Sequence, residues 1–255
     1  MEHSIPGSCE LKAMILCEYL SIYDFDEIYD TRRLLLLDKH PRLYHWQPDH
    51  MLKLGGTKYE MNLAHLAGDC AVSVLGEVVQ DGKHLGFMMK KENPLIGECL
   101  ASIVQKRRIM HMMKRVVDDL HTNQRIIHGD LKLANMLLCS DGRVRLCDFA
   151  GAFLIDDPNP PAPIYTAAWL SPYRSRHIQE PPTIDDDLFA LGVSIWELFV
   201  GRRPFEGLKG IAAAQLIRKG ETIDITEIGD AEARSMVREL MSGMLMKSCK
   251  LEIVN

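Results

Sequence analysis

The stretch from His128 to Gly151 holds the residue types that phosphoryl transfer needs, in a workable order. It reads His128-Gly129-Asp130-Leu131-Lys132-Leu133-Ala134-Asn135, then an apolar run and a turn, then Asp148-Phe149-Ala150-Gly151. One acid is followed by a lysine two residues on, an asparagine five residues on and a second acid eighteen residues on. Such a layout suits phosphoryl transfer, which needs a group to orient a hydroxyl and oxygens to hold Mg²⁺ on the phosphates. His128 reads as a packing and hydrogen-bonding residue rather than a catalyst. A helix-turn-strand with solvated polar side chains is the plain alternative for the whole block.

These residues need elements to hold them. Ile103 to Thr122 carries apolar side chains at 103, 109, 110, 113, 116, 117 and 120, a helical period that delivers the chain into the Asp130 loop. Met136–Leu138 and Val144–Cys147 are apolar runs around Ser140-Asp141-Gly142, which predicts a hairpin between Asn135 and Asp148. The region before residue 93 reads as strands over 33–37, 42–46, 50–54, 72–79 and 84–90, with turn chemistry at 80–83. Thr57 to Leu66 reads as the one helix there, opened by a Thr57/Glu60 capping box and closed by Gly68. Later helices are expected over 187–200, ending at Gly201, and near 210–219 and 230–246. Four prolines between Asp156 and Pro163 predict an irregular surface loop.

Composition sets bounds. The chain has 255 residues, 47% of them hydrophobic, enough for a substantial core. A net charge of −5 and a pI near 6.1 argue against a nucleic-acid-binding surface. Seven cysteines without CxxC spacing fit reduced thiols, hence a cytoplasmic or nuclear location, and the histidines lack zinc-ligand spacing. No apolar run approaches the roughly 18 residues of a membrane span, so no membrane association is expected. Composition leaves the oligomeric state open.

The block from His128 to Gly151 resembles the catalytic and metal-binding loops of the protein-kinase-like family, whose signatures are His-Arg-Asp-x-x-x-x-Asn and Asp-Phe-Gly. The resemblance implies an α+β, bilobal fold: a small, mostly β lobe over 1–92 and a larger, mostly α lobe over 93–255, together one domain. It places Asp130 as the acid that receives the substrate hydroxyl and Lys132 as the lysine that contacts the transferred phosphate. Asn135 and Asp148 fall at the metal-ligating positions, implying ATP and Mg²⁺ as cofactors. Thr166 in Thr166-Ala167-Ala168-Trp169-Leu170-Ser171-Pro172-Tyr173 falls at the threonine that faces the acid. Asp187-Leu188-Phe189-Ala190-Leu191-Gly192 and Gly201-Arg202-Arg203-Pro204-Phe205 resemble the start of and exit from the central large-lobe helix. These later matches imply a protein substrate.

The chain also departs from the family pattern. Residues 1 to 54 contain one glycine, Gly7, so no G-x-G-x-x-G loop exists. Lys53, at a strand end, and Glu60, on the next helix, are the best substitutes for the phosphate-holding pair, although the capping box alone explains Glu60. Gly129 replaces the catalytic-loop arginine, Ala150 the glycine after Asp-Phe, and Tyr173 the glutamate of Ala-Pro-Glu. The large-lobe ion pair is thus expected to be broken, with its arginine also missing from a C-terminus that is truncated or rebuilt. Three activities stay in play: a Ser/Thr-type protein kinase, a pseudokinase scaffold, and a small-molecule kinase for an aminoglycoside- or choline-like hydroxyl. The last would need free acids among Asp156, Asp157, Asp185, Asp186 and Asp187.

Overall fold

The computed structural model describes residues 35–37, 40–47, 49–80, 83–95 and 102–252. The expected strand start at 33 and the centre of the 80–83 turn lie outside the described residues. Five antiparallel strands form one sheet: β1 (Leu35–Leu37), β2 (His40–Gln47), β3 (His50–Leu54), β4 (Val74–Gln80) and β5 (Lys83–Lys90), in the order β1-β2-β3-β5-β4. Alternation along β3 buries Leu52 and Leu54 and leaves Lys53 on the other face, paired across the ladder with Phe87. Helix α1 (Lys58–Leu66) follows β3 after a connection of three residues. Thr57 caps it by accepting the Glu60 amide at 3.0 Å. The capping box is only half formed, because the Glu60 carboxylate is engaged elsewhere.

The large lobe opens with α2 (Ile103–Thr122), as its period predicts. Ser102 and Gln105 form a capping box, and Ile109, Met110, Met113, Val116, Val117 and Leu120 enter the core. Short strands follow. β6 (Asn93–Pro94), β8 (Met136–Leu138) and β9 (Val144–Leu146) form one small antiparallel sheet, while β7 (Ile126–Ile127) pairs with β10 (Phe153–Leu154). The sheets meet where the Val72 amide donates to Leu146 O at 2.9 Å.

Helix α3 (Pro172–Arg176) was not expected, although Ser171 followed by a proline at the first helical position is a start signal. Helix α4 (Ile184–Val200) is apolar nearly all round, and Phe189, Leu191, Ile195 and Trp196 are fully buried. It begins three residues earlier than expected because Thr183 and Asp186 form its capping box. Asp187 therefore lies inside the first turn instead of opening the helix. Helices α5 (Gly210–Arg218) and α6 (Ala231–Glu252) complete the lobe, and α6 runs past the expected end at 246. The main core stretches from Leu63 and Ala64 of α1 to Met241 and Met244 of α6.

Candidate active site

The loop after β7 is held from below. The buried Asp187 carboxylate accepts the backbone amides of His128 at 2.8 Å and Gly129 at 3.0 Å, and His121 Nε2 at 2.9 Å. Three hydrogen bonds to one buried carboxyl group fix the loop backbone against α4. Gly129 takes φ +78°, and a Cβ there would sit 2.7 Å from Gly151 O. Glycine suits this position for both reasons. His128 is fully buried, donates Nε2–H to Cys147 O at 3.1 Å and packs against the Phe149 ring. Its expected packing role is the one it occupies.

Asp130, 8% exposed, receives Lys132 Nζ on Oδ2 at 2.6 Å. The same Nζ donates to Thr166 Oγ1 at 2.9 Å. Thr166 therefore reaches the acid through Lys132 rather than directly. Asn135 spends its amide N–H on Asp130 O at 3.0 Å, which leaves Oδ1 as the group a cation would meet. The β8–β9 hairpin pairs Met136 with Leu146, and the Cys147 amide donates to Asn135 O at 3.0 Å. That register brings Asn135 and Asp148 to one end of the hairpin.

Asp148 stands in the left-handed region at φ +67° with its side chain 40% exposed. Its Oδ1 accepts Lys53 Nζ at 2.6 Å, and the same Nζ pairs with the buried Glu60 carboxylate. Lys53 and Glu60 thus come together despite a separation of only seven residues. Burial alone would lower the Lys53 pKa, but the Asp148 and Glu60 carboxylates outweigh it and the net shift is upward. Burial would raise Asp148, yet Lys53 holds it below the usual carboxylate range. At Glu60 burial wins over Lys53 and the shift is upward.

Beside these groups lies a narrow cleft lined by Val72, Val74, Phe87, Met89 and Leu146 among others. Its walls are apolar and end in charged groups. Cys147 also borders the cleft, and burial pushes its thiol up to about 12, so it is no nucleophile at neutral pH. Among the described residues no group of three or more His, Cys, Asp and Glu could hold a metal ion. Asp148 and Asn135 Oδ1 are hard oxygen donors of the kind Mg²⁺ takes, and the rest of its shell would come from outside the chain.

A second cleft is lined by Asp130, Thr166, Trp169, Arg174 and Asp187 among others. Beneath it the expected gap at Tyr173 is filled differently. Lys247 from α6 pairs with Asp185 at 2.8 Å and lies 6.0 Å from the Tyr173 ring centre. The acids that a small cationic substrate would need are mostly engaged. Asp185 holds Lys247, Asp186 caps α4, Asp187 clamps the loop, and Asp156 pairs with Arg125.

The site's most influential unforeseen residue is Asp187, which sequence reading placed as a helix start. Its only signal was an acid in the first turn of a mostly apolar helix, and the helix dipole favours acids there in any case. No helix among the described residues is long and apolar enough to cross a membrane.

A family model described as a protein kinase domain matches residues 63–251. The chain is 32% identical over 158 residues to a probable serine/threonine-protein kinase of Corynebacterium efficiens, covering 56% of this chain and 23% of that protein. It is 26% identical over 181 residues to the dual specificity mitogen-activated protein kinase kinase dSOR1 of Drosophila melanogaster, covering 68% of this chain and 42% of that one. Over 203 residues it is 25% identical to the serine/threonine-protein kinase KIC1 of Saccharomyces cerevisiae, covering 78% and 16%. The chain spans less than half the length of each of these relatives.

Proposed function

We propose that this chain, which belongs to the protein kinase domain family, moves the γ-phosphoryl group of Mg·ATP onto a Ser or Thr hydroxyl of a protein. The observation that carries this reading is Lys53, bonded at once to Glu60 and Asp148 across the cleft. A pair with no nucleotide to serve would have little reason to bury a lysine between two carboxylates. Mg·ATP, when bound, brings the phosphoryl group and the cation that neutralises charge developing on it.

The chain's own residues then position and polarise. Lys53 holds the phosphates, with Glu60 fixing its direction. Asp148 and Asn135 Oδ1 supply ligands to the cation. Asp130 orients the acceptor hydroxyl and takes its proton, and Lys132 balances charge on the transferred group. Thr166 tethers Lys132 and so keeps Asp130 aimed at the acceptor cleft. The protein acceptor is supported by that cleft and by the relatives named above. A small cationic acceptor is disfavoured because Asp156, Asp185, Asp186 and Asp187 already have partners.

A scaffold without turnover is the second reading, favoured by one observation: the first 54 residues contain a single glycine, so no G-x-G-x-x-G motif precedes Lys53. Transfer of label from Mg·[γ-³²P]ATP to a protein mixture and to the chain itself separates the two. Label that disappears in Asp130→Asn supports transfer. A folded protein that labels nothing moves the reading to the scaffold, or to a kinase whose acceptor is not a protein.

A further inference from the structure

Two of the chain's departures from the family pattern meet at one contact. Gly129 stands where the arginine is expected, and the glycine after Asp148-Phe149 is moved one place on, to Gly151. A Cβ at Gly129 would sit 2.7 Å from Gly151 O. A Cβ at Gly151 would in turn sit 3.2 Å from Ile164 Cβ, 3.3 Å from Ile164 O and 3.7 Å from His128 O. Three stretches of backbone therefore pack around two missing side chains: the loop at His128 and Gly129, the turn after Asp148, and the segment that leads to Thr166.

Gly151 is buried, closes the 3₁₀ turn Phe149–Gly151 and lies outside the left-handed region. What glycine supplies there is room rather than conformational freedom. An added methyl would have to displace a neighbour, because interiors are close-packed. The turn itself is fixed, since Phe149 is buried, the Ala152 amide donates to Phe149 O at 3.1 Å and Phe153 pairs with Ile127. His128 and Gly129 are held by Asp187. Ile164, by contrast, is 47% exposed and belongs to no helix or strand, so it is the neighbour that gives way. Two residues further on, Thr166 Oγ1 accepts Lys132 Nζ at 2.9 Å, and that same Nζ is bonded to Asp130 at 2.6 Å.

We propose that Gly151 is a positioning residue: the room it leaves seats Ile164, and the seated segment brings Thr166 to Lys132 and so holds Lys132 on Asp130. The consequence for transfer rests on the phosphoryl-transfer reading; the seating of Thr166 does not. Gly151 thus serves Asp130, although it stands three residues from Asp148 in the chain.

The test uses Gly151→Ala and Gly151→Val in the full chain. Label transfer from Mg·[γ-³²P]ATP to a protein mixture should slow about three- to tenfold in the first and further in the second, since small misplacements of reacting groups are costly. Mg·ATP affinity by calorimetry should stay within about twofold, because Lys53 and Asp148 keep their contacts. Gly151→Ala combined with Ile164→Gly, which moves the room across the contact, should regain rate over Gly151→Ala alone. Without nucleotide, Thr166→Val should lower the urea midpoint of the native chain and lower it less in Gly151→Ala, where the hydroxyl has already left Lys132.

Undiminished transfer in Gly151→Val overturns the proposal. Equal losses of Mg·ATP affinity and of transfer also overturn it, because they place Gly151 with the phosphate side. So does a Thr166→Val effect that is the same in both backgrounds. A Thr166→Val effect that shrinks in Gly151→Ala, in a chain that labels nothing, supports the seating and counts only against the phosphoryl-transfer reading.

Discussion

The two sides of the cleft are held in different ways. On the acceptor side, the backbone at His128 and Gly129 is bonded to a buried carboxylate of α4, itself part of the main core. On the phosphate side, Lys53 is held by two carboxylates that come from a helix and a loop, across a short glycine turn. The first arrangement is built into the fold, and any state with an intact core has it. The second is assembled from side-chain charges, so it responds to protonation and to whatever enters the cleft. On the proposed function, geometry for the hydroxyl would be set before a substrate arrives, while geometry for the phosphates could be adjusted.

The largest effect should come from removing charge on either side. Asp148→Ala should abolish most of the phosphoryl transfer, and Asp130→Asn should cost about 10²–10⁴-fold in kcat, both read in the label assay. Near wild-type turnover in Asp148→Ala would remove it from the cation site. Stability separates the sides more sharply. Asp187→Ala strands two backbone amides and His121, and should cost about 3–5 kcal/mol in urea unfolding. Glu60→Gln, on the phosphate side, should cost clearly less. Equal losses would erase the distinction between a built and an assembled side.

The far end of α4 offers an internal control. Glu197 is buried, its Oε2 has no partner, and burial, partly offset by Arg203, raises its carboxyl to about 7. Between the ordinary carboxylate value and that point, the folded chain holds a proton that the unfolded chain has released. Stability should fall as pH rises through this window and stay low above it. Glu197→Gln should remove the slope and add on the order of 1–3 kcal/mol at neutral pH. An unchanged pH profile in the variant would place the slope elsewhere.

Restoring the family's arginine by Gly129→Arg should destabilise by about 1–3 kcal/mol, because a side chain at φ +78° would crowd Gly151 O. The smallest effect belongs to Thr57→Ala, about 1 kcal/mol, measured as a lower urea midpoint from the lost cap on α1.

Much of the acceptor side was legible because it is local. The α2 period, the β8–β9 hairpin and the spacing of Asp130, Asn135 and Asp148 are set within short stretches, and the structure follows them. Strand His50–Leu54 was equally plain. What stayed hidden depends on distance along the chain. Asp187 lies 59 residues from the amide of His128 that it accepts, and no local pattern links them. The Lys247–Tyr173 approach joins α6 to α3 in the same way. Glu60 was ambiguous for a different reason, since its amide and its carboxylate serve different partners: Thr57 takes the first and Lys53 the second. Spacing alone cannot separate roles that one residue performs with different atoms.

The anchorage of the acceptor loop in α4 bears on how the protein fails when heated. The carboxylate that shapes the loop belongs to a helix buried on nearly every side, so the loop has no local route to disorder. Inactivation and global melting should share one transition and one activation enthalpy, and the molecule should pass from competent to unfolded without a folded, idle form between.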